Sequence, residues 1–392
     1  MKIALVTETF PPEVNGVSMT LNRLAMGLCK RGHQLEVVRP RQKNEPPANA
    51  TFATFCVQGF PLIGYPGLQF GRFALGTLMR RWRRNPPDLI HIATEGPLGL
   101  SAIRVACKFK IPCVSTFHTN FQTYTTHYGF AWIQKAFFAY LRWVHNKTLA
   151  TFAPSLDVQN HLSECGFKNV QLLGRGVDTN LFCPHHRSTI LRQKWGSNGN
   201  SPIVIYVGRL AAEKNVDLSI RAFKSFRKKI PDAEFVLVGD GPERTRLEKE
   251  NPDFYFAGMR LGEELAAHYA SADLFFFGST TETFGNVVTE AMASGLIVLA
   301  YDYAAGRQHI QNGSNGYTCA FDDETAFIHA VDVIVTDRAH WHSIRQAARE
   351  TSLGLSWDGI IDSYEKDICN LVARAKPPQL QQAATATTRE NQ

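Results

Sequence analysis

Ten short runs of unbroken apolar character recur along the chain, each followed by a stretch with helical spacing. The first half contains KIALVT, QLEVVR, LIHIAT, PCVSTF and ATFAPS; the second contains PIVIYVG, EFVLVGD, FYFAG, DLFFFG and LIVLAYD. A run that stays apolar rather than alternating suits a strand buried on both faces. Helical stretches between such strands suit βαβ crossovers onto a parallel sheet. The expected fold class is therefore α/β, with two doubly wound domains in succession, since 392 residues exceed one ordinary core. The first domain is assigned to residues 1–185. The segment HHRSTILRQKWGSNGNSP, a short helix with a Ser/Asn/Gly-rich loop, marks the boundary. A second domain follows at 198–355. The amphipathic helix in WDGIIDSYEKDICNLVARA, within 356–375, is expected to return to the first domain. The polar stretch 376–392 reads as a disordered tail.

Cysteine usage and hydropathy narrow the class. The eight cysteines are scattered without a C-x-x-C pair, and the nearest two, Cys107 and Cys113, have neither zinc-site nor redox spacing. Reduced thiols follow. MKIALVTETFPPE reads as a first strand and its loop rather than a signal peptide. No run approaches the roughly 18 apolar residues of a membrane span. The expected location is cytoplasmic, at most peripheral on the inner face of the membrane. Charge is unevenly placed: residues 1–183 carry 20 Lys+Arg against 9 Asp+Glu, whereas the remainder carries 22 against 26. A basic first half points to an anionic partner.

In open parallel sheets ligands bind beyond the carboxyl ends of the strands, and the unusual residues lie in those loops. TETFPPEVNGVS places Gly16 at the start of a helical run, where backbone N–H groups can meet a phosphate; a glycine in a strand–helix turn is also commonplace. GRLAAEKN sets Arg209 and Lys214 in one loop, a planar fork and a point charge suited to a diphosphate. The plain alternative is a solvated loop with a Glu213–Lys214 pair. LVGDGPER offers a turn at Gly241 but lacks G-x-G-x-x-G spacing, which counts against a nicotinamide or flavin enzyme. In TTETFGNVVTEAMASG, Glu282 precedes a turn of Phe284, Gly285 and Asn286, and Glu290 follows one helical turn in. Carboxylates accept hydrogen bonds from sugar hydroxyls, while a helix N-terminus favours phosphate. A nucleotide joined through diphosphate to a sugar needs both. His118 closes the strand CVSTFHTN beside Thr119 and Asn120; a structural and a catalytic role are equally open from the residues alone.

Taken in order, these segments resemble the retaining glycosyltransferases of family 4. FPPEVNGV, LCKRGHQLEVV, RGVDTNLFCP, VGRLAAEKN, LVGDGPER and ETFGNVVTE are similar to successive family signatures, and Glu282 and Glu290 match its E-x7-E motif. The resemblance implies the GT-B fold, two Rossmann-like domains facing across a cleft. It implies Arg209 and Lys214 on the donor diphosphate, and Glu290 on the nucleotide ribose. Glu282 with the backbone of Phe284, Gly285 and Asn286 would hold the sugar and phosphate. His118 would lie beside the transferred sugar, and Gly16 beside the leaving phosphate. His118 and Glu282 are the implied catalytic residues. No metal and no cofactor are implied, the nucleotide sugar being a co-substrate. RGVDTNLF and STFHTNFQTYTTHYG look closest to the branch of GDP-mannose-dependent α-mannosyltransferases and sulfolipid synthases. One stretch departs: YAAGRQHIQNGSNGY stands where the family more often has Gly-Gly-x-x-Glu/Asp.

GRFALGTLMRRWRRNPP sets Arg80, Arg81, Arg83 and Arg84 around Trp82, a pattern suited to an anionic membrane surface with an interfacial tryptophan. WIQKAFFAYLRWVHNK is aromatic and basic as well. A solvated helix and a core helix are the respective plain readings. No nucleic-acid signature is present. The expected partners are a nucleotide-sugar donor, a lipid or lipid-linked acceptor and an anionic membrane surface. Transfer of mannose from GDP-mannose leads, with a UDP-glucose-type donor, a nucleotide-sugar epimerase and a non-catalytic polyanion binder as alternatives.

Overall fold

The computed structural model describes residues 1–13, 15–42, 45, 51–61, 69–118, 131–197, 199 and 201–375; the stretch 376–392 and residues Thr119 and Asn120 lie outside them. In the first half, strands β1 (Lys2–Val6), β2 (Gln34–Pro40), β3 (Ala53–Val57), β6 (Leu89–Ile92), β7 (Cys113–Thr116), β8 (Thr151–Ala153) and β9 (Val170–Leu172) form one parallel sheet in the order 3-2-1-6-7-8-9. A small antiparallel hairpin, β4 (Gly59–Pro61) with β5 (Gln69–Gly71), stands apart. In the second half, β10 (Ile203–Val207), β11 (Glu234–Val238), β12 (Tyr255–Gly258), β13 (Leu274–Phe277), β14 (Ile297–Tyr301) and β15 (Tyr317–Cys319) form a parallel sheet in the order 12-11-10-13-14-15.

All the expected strands except β12, which lies at an edge of the second sheet, sit in the sheet interiors, and the innermost are buried as their continuous apolar runs require: every residue of β10, β13 and β14 is buried. The strands that the patterning did not announce are β3, β9, β15 and the hairpin. All are short or exposed. Ala53 and Thr54 face solvent, and β9 and β15 have three residues each. β3, β9 and β15 are edge strands, and strands this short or exposed bury too little to leave a hydrophobic signature.

Both sheets have a switch point, where the chain builds outward and then returns to the other side of its first strand. In the first sheet this lies between β1 and β6, and in the second between β10 and β13. Loops diverging at such a point leave a crevice at the carboxyl edge. The helix Trp357–Ala375 belongs to the first domain's core: Ile361, Tyr364, Ile368 and Val372 pack with Ile3, Leu5 and Leu24. The boundary segment is tied to the second domain instead. Arg187 and Arg192 donate to Asp273 at 2.8 and 2.9 Å, and Asp273 also accepts from the Ile203 N–H at 3.0 Å. All eight cysteines are free.

Candidate active site

The two switch-point loops of the second sheet meet at one place. After β10, the loop Gly208–Lys214 ends in a single turn, Ala212–Lys214, followed by Asn215 at φ 47°. After β13, the loop carrying Glu282 lies against it, and Thr281 Oγ1 donates to Glu213 O at 2.8 Å. Lys214 Nζ reaches Glu282 Oε1 at 2.5 Å, and Ser279 Oγ donates to the same oxygen at 2.8 Å. The alternative pairing of Lys214 with Glu213 does not form; Glu213 takes Arg209 at 3.3 Å. Arg209, with its side chain 55% exposed, keeps most of its guanidinium open to solvent. Gly241 supports this loop from behind: a Cβ there would stand 2.2 Å from Leu210 O, so the D-G-P turn needs glycine for close backbone approach.

Gly285 sits at φ 91°, a left-handed conformation glycine adopts without strain. It turns the chain into the helix Asn286–Ala293, whose N-terminus has no side-chain cap and no acidic residue in its first turn. The Phe284 ring is buried, and its carbonyl accepts from Ala305 N–H at 2.7 Å. Its side chain is therefore part of the second domain's core. Glu290, half-buried, accepts from the Tyr269 hydroxyl at 3.1 Å, and burial pushes its carboxyl up to about 7.

Across from these groups stands the helix Gly16–Lys30 of the first domain. Asn15 caps it, its side chain accepting from Ser18 N–H at 2.9 Å. A Cβ at Gly16 would meet nothing within 4 Å, so the position faces open space and no steric demand of the fold calls for glycine there. Gly16 and Arg23 join Arg209, Lys214, Glu282 and Glu290 around one cleft of about 450 Å³ between the domains. His118 lies at the carboxyl end of β7 in the first sheet, its Nδ1 3.3 Å from Arg175 Nη2. Burial and the Arg175 charge hold its imidazole well below the ordinary range.

The departing stretch 303–317 is tied to the first domain. Ala304, at φ 50°, opens a short helix, and its N–H is taken by Asp157 Oδ2 of the first domain at 2.8 Å. Asp157 also pairs with Arg307. The sequence reading missed this contact between the domains, because a lone aspartate in ATFAPSLDVQN carries no signal of a distant partner. It missed Glu8 as well. That carboxylate is buried, accepts from the Gly71 and Leu98 N–H groups at 2.5 and 3.2 Å, and is raised by burial to about 7.

The arginine-rich helix Leu75–Arg84 requires a correction. Trp82 is 2% exposed and packs with Leu78, Val38 and Ile90, so it is a core residue and cannot lie at a membrane interface. Its spacing of four from Leu78 puts both on the inward face. Arg81 is committed to an ion pair with Glu36 and stacks over Phe55 at 4.2 Å. Arg80, Arg83 and Arg84 remain exposed. The exposed apolar residues nearby are Phe73 and Leu75, at 67% and 37%, beside the hairpin that carries Phe60. On the helix Ala131–His145, Leu141 and Val144 are buried while Trp143 faces solvent. Among the described residues no helix is long and apolar enough to cross a membrane, and no group of His, Cys, Asp or Glu has a metal-holding arrangement.

Comparison with known proteins matches both halves. Residues 14–181 fit the family described as Glycosyltransferase Family 4, and residues 187–351 fit Glycosyl transferases group 1. A GDP-mannose-dependent alpha-mannosyltransferase of Mycobacterium tuberculosis is 33% identical over 370 residues, 92% of this chain and 94% of that protein. An alpha-monoglucosyldiacylglycerol synthase of Acholeplasma laidlawii is 27% identical over 354 residues, 81% of this chain and 84% of that one. Among solved structures, the sucrose-phosphate synthase of Thermosynechococcus elongatus superposes with a TM-score of 0.74 at 20% identity, covering 95% of this chain and 99% of that one. With likeness of this extent across both domains, the chain belongs to the family 4 glycosyltransferases and has the GT-B fold.

Proposed function

We propose that this glycosyltransferase moves mannose from GDP-mannose to a lipid or lipid-linked acceptor, retaining the anomeric configuration and using no metal. The observation that carries the reading is the convergence of Lys214, Glu282, Glu290 and an uncapped helix N-terminus on one cleft. In this reading Arg209 and Lys214 meet the diphosphate, and the N–H groups at Gly285 and Asn286 add the helix-end field. Glu290 accepts from the ribose hydroxyls, and Glu282 from the sugar. Gly16, with open space before it, lets the first loop approach the leaving phosphate. His118 contacts the transferred sugar. Catalysis then rests on positioning and on stabilising charge at the leaving group. The acceptor proton passes to the departing phosphate, so the paired carboxylates of a glycosidase are not required.

The donor follows the mannosyltransferase relative, and the lipid acceptor follows the diacylglycerol-modifying one. Membrane contact in this reading uses Phe73 and Leu75 with Arg80, Arg83 and Arg84. The test is thermal melting of the free protein with GDP, GDP-mannose, UDP and UDP-glucose in a chelator. A ligand at 100 times its Kd stabilises the fold by roughly 2.7 kcal/mol, so a shift with the guanosine pair alone supports the donor. A shift with the uridine pair alone replaces it with a UDP-sugar. No shift with any of them counts against the reading. Donor converted without acceptor would indicate an epimerase.

A further inference from the structure

Arg175 lies just beyond β9, where the chain leaves the first sheet for the second domain. Val177 N–H bonds Leu355 O at 2.8 Å and Val177 pairs with Ser356, so the outgoing and returning segments are clasped here. The arginine is 5% exposed. Its Nη1 donates to the Leu173 and Gly174 carbonyls at 3.0 and 3.3 Å, and among the described residues no carboxylate meets it. A buried cation without a counter-charge is costly to maintain, and this one spends its Nη2 on His118 Nδ1 at 3.3 Å.

The chemistry of that contact is one-directional. A guanidinium has N–H donors and no acceptor, so Nδ1 must supply a lone pair. The neutral ring then carries its proton on Nε2. A protonated ring would lose this bond and set two cations against each other. In the familiar acid–base arrangement a carboxylate accepts a hydrogen bond from Nδ1–H, which keeps the proton there and leaves Nε2 free to act as a base. An arginine at the same place does the reverse. The other titratable groups facing the ring do not supply a proton acceptor at Nδ1. His91 is held by Thr116 and by the Tyr364 hydroxyl, and His145 by Glu95 and Ser115. His118 Nε2 is buried with no partner among the described residues, at the carboxyl end of β7.

We infer that Arg175 is a positioning residue that fixes His118 as the neutral Nε2–H tautomer, making the ring a hydrogen-bond donor to the transferred sugar and not a base. The sugar as recipient rests on the proposed function; the tautomer does not. It also accounts for where the acceptor proton must go, since a ring locked this way cannot take it. The experiment is long-range 1H–15N NMR on the free protein with labelled histidine, the His118 signals identified by their loss in His118→Gln. The expected spectrum shows Nε2–H throughout the neutral range with no titration. An Nδ1–H tautomer, or a titration midpoint in that range, overturns the inference. Because no donor or acceptor is present, this result stands or falls apart from glycosyl transfer.

Variants supply a second readout. Arg175→Met should reduce the Nε2–H population and move the acid limb of kcat/KM to higher pH, and Arg175→Lys should restore both in part. A methionine variant with the parent's tautomer and pH profile overturns the inference. Should that variant not fold, the parent spectrum decides, together with a lysine variant expected to keep Nε2–H.

Discussion

Replacing Lys214 by alanine separates the site from the scaffold most cleanly. The ammonium lies 2.5 Å from Glu282, with the two side chains 21% and 18% exposed. Losing such a partly exposed pair costs the fold about 1 kcal/mol. Glu282 is not left bare, since Ser279 still donates to it at 2.8 Å. A domain of this size then melts some 2–4 °C lower, and with a stability of about 5–15 kcal/mol nearly all molecules remain folded during an assay. The effect on transfer is of another order. Removing one preorganised donor from developing charge lowers turnover about 10²–10³-fold, or about 2.7–4 kcal/mol of barrier. A hundredfold fall in kcat, with circular dichroism and melting nearly unchanged, is the expected outcome, and Lys214→Arg should fall between. Turnover in the alanine variant within about threefold of the parent would refute the diphosphate role, because an electrostatic contact of this kind cannot be removed so cheaply.

Glu290 links pH to both stability and binding. Its carboxyl sits at about 7 in the folded chain against an ordinary 4.5, so between these values the native state holds a proton that the unfolded state releases. Stability from this group falls as pH rises through that window. Glu290→Gln should therefore melt higher than the parent at pH about 8 and lose that advantage near pH 4.5; equal differences at both values would contradict it. Hydrogen bonds from ribose hydroxyls favour the ionised carboxyl, so nucleotide binding at pH about 6.5 should release protons. Calorimetric heats that do not vary with the buffer's ionisation enthalpy would count against the ribose contact. Asp157→Ala removes acceptors for Ala304 and Arg307 across the cleft, and a larger radius of gyration in small-angle scattering is expected; an unchanged radius would mean that other contacts hold the domains together. Phe73→Ser with Leu75→Ser, or Arg80, Arg83 and Arg84 together to serine, should weaken co-sedimentation with anionic vesicles, and undiminished binding would place the membrane surface elsewhere.

The sheets were legible because strands buried on both faces cannot hide their apolar runs, as LIVLAYD and PIVIYVG illustrate. Switch-point loops were legible because Arg209, Lys214 and Glu282 are charged residues directly after such runs. Trp82 was misread for a physical reason. In a helix the four flanking arginines set the local impression, while the inward face is set by spacing from Leu78, and spacing governs. Lys214 meeting Glu282 and Arg175 meeting His118 join residues 68 and 57 positions apart. Nothing local announces such pairs. Asp157 with Arg307 is of the same kind, created only when two domains face each other.

The most direct measurement of the central claim is transfer itself. Purified protein is incubated with GDP-mannose labelled in the sugar, a lipid extract and a chelator, and the organic phase is counted. We expect label in an extractable lipid, with the α-configuration of the donor retained and the yield lost in Lys214→Ala. Label remaining wholly in the aqueous phase, or equal yield from Lys214→Ala, would contradict the account.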